Sequence, residues 1–133
     1  MSTEDPAQSA AHAGGTASDI PIEPQSLEWM RRLVAIPSIS GTSNLGVIEL
    51  IEAEFARYGY TGQRTYNADQ TRANLWVTVP AADGSTEGGI VISGHTDVVP
   101  VEGQTWDSDP FTLRVEGSRA YGRGVCDMKG FLG

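Results

Sequence analysis

Ile90-Val91-Ile92-Ser93-Gly94-His95-Thr96-Asp97-Val98-Val99-Pro100 is the stretch on which the reading of this chain turns. A short apolar run delivers a glycine and a histidine, and a carboxylate follows two residues later. In extended backbone side chains alternate between faces, so His95 and Asp97 point the same way. That arrangement suits an imidazole that binds a metal while a neighbouring carboxylate fixes its orientation. Farther on, Gly124-Val125-Cys126-Asp127-Met128-Lys129-Gly130 presents Asp127 in a glycine-flanked loop, from which a carboxylate can reach the same centre.

Working outward, Met1 to about Asp19 is rich in Ala, Ser, Gly and Thr without apolar periodicity and reads as a disordered tail. His12 lies in it and reads as idle. From Glu23 the pattern becomes helical. Pro24 suits a first helical position, and Leu27, Met30, Leu33 and Val34 fall on one face before Pro37 ends the helix. Ile36-Pro37-Ser38-Ile39-Ser40 is a connector. A second helix is expected from Thr42 or Ser43, either of which can cap it. Its buried stripe is Val47, Ile48, Ile51, Phe55 and Tyr58, and Gly59 ends it in a left-handed turn. Strands are expected over Tyr60–Tyr66, Asn74–Val79 and Ile90–Ser93. Two shorter ones, Thr112–Val115 and Arg119–Tyr121, are joined by a turn at Glu116-Gly117-Ser118. Two helices followed by several strands indicate an α/β layered domain. In such folds ligands gather beyond the carboxyl ends of strands, where His95 follows the Ile90–Ser93 strand.

At 133 residues the chain fits one domain, and its formal net charge of -8 argues against nonspecific nucleic-acid binding. A single cysteine excludes an internal disulfide. No apolar run approaches the roughly 20 residues that span a bilayer. No secretory signal is visible at the N-terminus, so the cytoplasm is the expected compartment and no membrane partner is expected.

Four motifs in order carry a family resemblance: His95-Thr96-Asp97-Val98-Val99-Pro100, Trp106-Asp107-Ser108-Asp109-Pro110-Phe111, Tyr121-Gly122-Arg123-Gly124 and Cys126-Asp127-Met128-Lys129-Gly130. From about Leu27 to Gly133 the chain resembles the zinc-dependent amidohydrolase and exopeptidase family that includes acetylornithine deacetylases and succinyl-diaminopimelate desuccinylases. Gly103-Gln104 and the Cys126-Asp127 pair are more similar to the deacetylase branch.

The resemblance implies that residues 20–133 are the N-terminal part of a layered α/β zinc-exopeptidase-like catalytic domain, truncated before a dimerisation domain. It implies a two-zinc site, with cobalt as a substitute, in which His95 is a ligand and Asp127 bridges the ions. Asp97 is then a supporting catalytic residue. The implied reaction is hydrolysis of the amide of a small N-acyl amino acid, acetylornithine first, by an enzyme that is a homodimer when complete. The general base and the remaining ligands are expected beyond Gly133, leaving this stretch inactive alone. A desuccinylase or dipeptidase of the same family is the nearer alternative. A non-catalytic fragment with weak or no metal binding is the alternative from another class.

Plainer readings stand beside these. A lone histidine after a strand is more often structural than a ligand, Asp97 also suits a turn, and Asp127 also suits a surface charge. Beyond His95 the expected folded region has no histidine to activate Cys126, which reads as a buried structural cysteine. Gly122-Arg123-Gly124 and Gly88-Gly89 lack the spacing of a phosphate loop. Lys129 is open between substrate contact and a structural role. Trp106 and Phe111 read as cover for the core near the site, and Trp76 as packing.

Overall fold

The computed structural model describes residues 23–133. The expected tail and His12 lie outside the described residues. Helix α1 covers Pro24–Val34, with proline at its start and Arg31 and Arg32 in its last turn, where positive charge complements the helix dipole. Its inner face buries Met30, Leu33 and Val34. Met30 and Val34 form the main core with Leu113, and Leu27, Ala120 and Val125 pack around them.

Helix α2 runs Leu45–Arg57 and begins later than expected, with Asn44 at the cap position. Asn44 does not cap the helix with its side chain. Instead it donates to the Ala73 carbonyl (2.9 Å) and accepts from the Ala73 amide (3.0 Å), tying α2 to the strand that follows. Gly59 adopts φ 83°, the left-handed turn that frees the chain from the helix. Of the predicted stripe, Val47 and Ile48 are buried and Ile51 and Phe55 half-buried. Tyr58, just past the last helical residue Arg57, is 63% exposed rather than part of the buried stripe.

Strands β1 (Gly62–Tyr66) and β2 (Ala73–Val77) form an antiparallel hairpin, Gly62 opposite Val77 and Tyr66 opposite Ala73. Its turn is held by Asn67, whose carbonyl oxygen on the side chain accepts from the Arg72 amide at 2.9 Å, and by Asp69, which accepts from Thr71 at 2.7 Å. Strands β3 (Arg114–Glu116) and β4 (Arg119–Tyr121) form a second hairpin around Gly117 at φ 56°. The chain is thus a mixed helix-and-strand arrangement whose described sheets are two separate antiparallel pairs.

Three expectations are corrected. Ile90–Ser93 forms no strand, and Ile90, Val91 and Ile92 are 91%, 70% and 79% exposed. A strand exists by pairing, and among the described residues no neighbouring backbone lies alongside this run. Trp76 is 56% exposed rather than packed, since β2 covers only one face and alternation sends Trp76 to the other. Cys126 is exposed rather than buried, because the loop that carries it turns outward between Gly124 and Lys129.

Candidate metal centre

The segment bearing His95 is positioned by the connector after α1 rather than by a strand of its own. Ile39 and Val98 form a parallel bridge: the Val98 amide donates to the Ser38 carbonyl and the Ser40 amide to the Val98 carbonyl, each at 2.9 Å. The buried Ser38 hydroxyl donates to the Thr96 carbonyl at 2.6 Å, and Asn44 reaches the Thr96 hydroxyl at 3.1 Å. With Thr96 and Val98 turned into this clamp, alternation leaves His95 and Asp97 together on the other side. The expected pairing is observed: His95 Nδ1 lies 3.0 Å from the Asp97 carbonyl oxygen and 3.3 Å from its carboxylate.

The second strap comes from the Asp127 loop. Gly124, at φ 83°, turns the chain sharply, and the Lys129 amide closes the loop on the Gly124 carbonyl at 2.7 Å. The peptide bond between Asp127 and Met128 is cis. Lys129 is wholly buried, and its ammonium donates to the Leu33 and Ile36 carbonyls at 2.8 and 2.7 Å. Those carbonyls belong to the end of α1 and the connector beyond it, so Lys129 pins the loop to the helix that also leads into the Ser38–Ser40 clamp. The structural role left open for Lys129 is the one it has. Met128 adds a contact, its sulfur accepting from the His95 amide at 3.2 Å.

The two straps bring Asp127 Oδ1 to 2.8 Å from His95 Nε2. Three sequence-predicted residues, His95, Asp97 and Asp127, therefore converge, although Asp127 lies 32 positions from His95. The Asp127 hydrogen bond is the main cause that raises the His95 pKa, with the Asp97 carbonyl adding to it. The Ser40 hydroxyl, donating to Asp97 Oδ2 at 2.6 Å, is the main cause that lowers the Asp97 pKa. All three side chains are 46% or more exposed, which moderates these effects.

Sequence reasoning missed Ser40 and Asn44. The alternation of Ser38-Ile39-Ser40 carried a signal, since it places two hydroxyls on one side of an extended connector. Asn44 carried none, because its partners lie 29 and 52 positions away.

An imidazole nitrogen and a carboxylate oxygen are donors that zinc accepts, and Nδ1, occupied by Asp97, leaves Nε2 for the metal. The donor set therefore fits one side of a zinc site. Among the described residues no third His, Cys, Asp or Glu joins the pair to complete a ligand group. Beside it opens a cleft of about 1080 Å³, lined by Ile48, Ile51 and Phe55 of α2, Leu75 of β2, Ile92 and His95 among others.

The acetylornithine deacetylase of Erwinia tasmaniensis is 37% identical over 116 residues, covering 82% of this chain and 29% of that protein. The acetylornithine deacetylases of Salmonella arizonae and Salmonella agona are each 36% identical, covering 82% and 84% of this chain and 29% and 30% of those proteins. The chain thus spans about three-tenths of the length of these curated relatives. Residues 91–133, which hold His95, Asp97 and Asp127, match the family described as Peptidase family M20/M25/M40, and the resemblance carried by the motifs is to that family and its acetylornithine deacetylases.

Proposed function

We propose that this chain supplies one side of the metal site of a zinc-dependent hydrolase that cleaves the amide of an N-acyl amino acid, with acetylornithine as the preferred substrate. The observation that carries the reading is the His95–Asp127 pair at 2.8 Å, with the other imidazole nitrogen tied to Asp97. The deacetylase relatives support the substrate class. Residues 20–133 are then part of a layered α/β catalytic domain in a homodimeric cytoplasmic enzyme, with 1–19 as a tail.

In this reading His95 and Asp127 are the residues of this chain that would hold the metal, one through its imidazole nitrogen and the other through its carboxylate. A bound zinc pair supplies Lewis acidity toward an amide carbonyl and lowers the pKa of water, and cobalt supplies the same. The chain's own residues hold the donors ready. Asp97 keeps the proton on Nδ1 of His95, so that Nε2 keeps its lone pair and the ring cannot turn away. Lys129 and the Ser38–Ser40 clamp hold the two ligands at one place from two directions.

A second reading rests on the absence of a third ligand among the described residues. The described residues alone would hold zinc loosely and would not turn over, because a catalytic zinc takes about three protein ligands and the reaction needs a proton acceptor.

One experiment addresses both readings. Acetylornithine, succinyl-diaminopimelate and a dipeptide are offered, with zinc or cobalt, to this chain and to one extended to the length of its relatives. Turnover of acetylornithine by the extended chain, lost with zinc content in His95→Ala, supports the proposal. Zinc content and activity unchanged in His95→Ala refute it. Equal turnover by the two chains refutes the second reading, and preference for another substrate reassigns the branch.

A further inference from the structure

We propose that Ser40 is a positioning residue of this metal centre, acting on His95 through Asp97; the inference rests on the metal-site reading above. The Ser40 hydroxyl has one hydrogen and two acceptors within reach, Asp97 Oδ2 at 2.6 Å and the Val98 carbonyl at 3.3 Å. The shorter contact to a charged oxygen takes it. The two oxygens of Asp97 then have separate neighbours: Oδ2 the Ser40 hydroxyl, and Oδ1 the His95 ring nitrogen at 3.3 Å, a nitrogen whose hydrogen bond goes to the Asp97 backbone carbonyl at 3.0 Å. With Oδ2 held by Ser40, Oδ1 stays turned toward the ring, so the carboxylate's charge adds to the hold that the backbone carbonyl has on Nδ1.

Ser40 is suited to this because its own backbone is fixed. Its amide donates to Val98 at 2.9 Å, and the next turn is closed by Thr42, whose amide donates to the Ile39 carbonyl at 2.9 Å. The anchor therefore comes from the connector after α1, 57 positions before Asp97, rather than from the segment it orients. Asp97 is itself half-exposed, and without the hydroxyl its carboxylate turns freely toward water. Ser40 touches neither His95 nor Asp127 in the structure; its effect passes through one carboxylate.

The test uses the chain extended to the length of its relatives, with zinc affinity measured by chelator competition and the visible spectrum of the cobalt form as a second readout. Direct partners of a metal-binding histidine typically change affinity about 10–100-fold, so Ser40→Ala, one residue removed, is expected to weaken zinc about threefold to tenfold. Ser40→Thr keeps the hydroxyl and restores affinity and spectrum. The deciding measurement is a double-mutant cycle: in an Asp97→Asn background, Ser40→Ala produces no further loss. Unchanged affinity in Ser40→Ala, or the same loss in both backgrounds, overturns the proposal while leaving the metal site standing. Absence of zinc uptake by the unmodified extended chain overturns the metal reading itself, and this inference with it.

Discussion

Lys129 is the only lysine in the sequence, so its ammonium can be followed without overlap. It is fully buried and, among the described residues, faces no carboxylate and donates to the Leu33 and Ile36 carbonyls. Burial pushes its pKa down from 10.5 to about 8. At about 1.4 kcal/mol per pH unit that gap is worth at most about 3.5 kcal/mol, with the two carbonyls acting against it by favouring the charged form. The folded chain binds this proton more weakly than the unfolded chain, so between about pH 8 and 10.5 the unfolded state carries the extra proton. Stability therefore rises with pH across that window and is flat below it.

Lys129→Met tests the balance. The substitution removes the charge that must be buried and leaves the Ile36 carbonyl without its donor, a cost of about 1–3 kcal/mol. The Leu33 carbonyl keeps the Ile36 amide at 3.3 Å. Relief and loss are of similar size, so the variant is expected within about 1 kcal/mol of the parent at pH 7, without the parent's alkaline rise. The assay pairs a carbon-13 titration of the lysine Cε with urea denaturation at pH 7, 8, 9 and 10, the Met variant correcting for the tyrosines. An ordinary titration near 10.5, or the same alkaline rise in Lys129→Met, would refute the burial argument.

Other expectations follow from particular contacts. Gly124→Ala forces a side chain onto φ 83° and brings its Cβ to 2.6 Å from Val98 Cγ1, so a loss of about 2–4 kcal/mol is expected, read from the urea midpoint. Zinc competes with the proton on His95, and because Asp127 raises that pKa, zinc affinity should begin to fall at a higher pH than for a free imidazole. Chelator competition from pH 8 to 5 checks the sign. In the metal-free chain the same contact works the other way: it stabilises at low pH and is lost as pH rises through the raised pKa, a trend that His95→Gln should abolish. Deleting Met1 to Asp19 should leave the melting temperature nearly unchanged, and a clear drop would show that the tail docks.

Local signals carried far in this chain. Pro24 and Pro37 bracket α1 because one lacks a donor that the first turn does not need and the other bars helical backbone before it. The left-handed turns at Gly59 and Gly117 and the period of the two hairpins are equally local. So is the His95–Asp97 pairing, which two-residue alternation determines. Long-range partners were legible only where chemistry demanded them, as with Asp127.

What tertiary structure alone decided is what depends on which backbone lies next to which. The apolar Ile90–Val91–Ile92 run has the composition of a buried strand, yet it stays unpaired because pairing is a property of its neighbours and not of its side chains. Trp76 and Cys126 are exposed for the same reason: hydrophobic character does not state what arrives to cover it. Lys129, a charged residue by sequence, is buried because the ends of α1 and of the Asp127 loop meet there and the Leu33 and Ile36 carbonyls accept its ammonium. Ser40 reaches Asp97 because a two-residue parallel bridge places it there, and no spacing along the chain encodes that meeting.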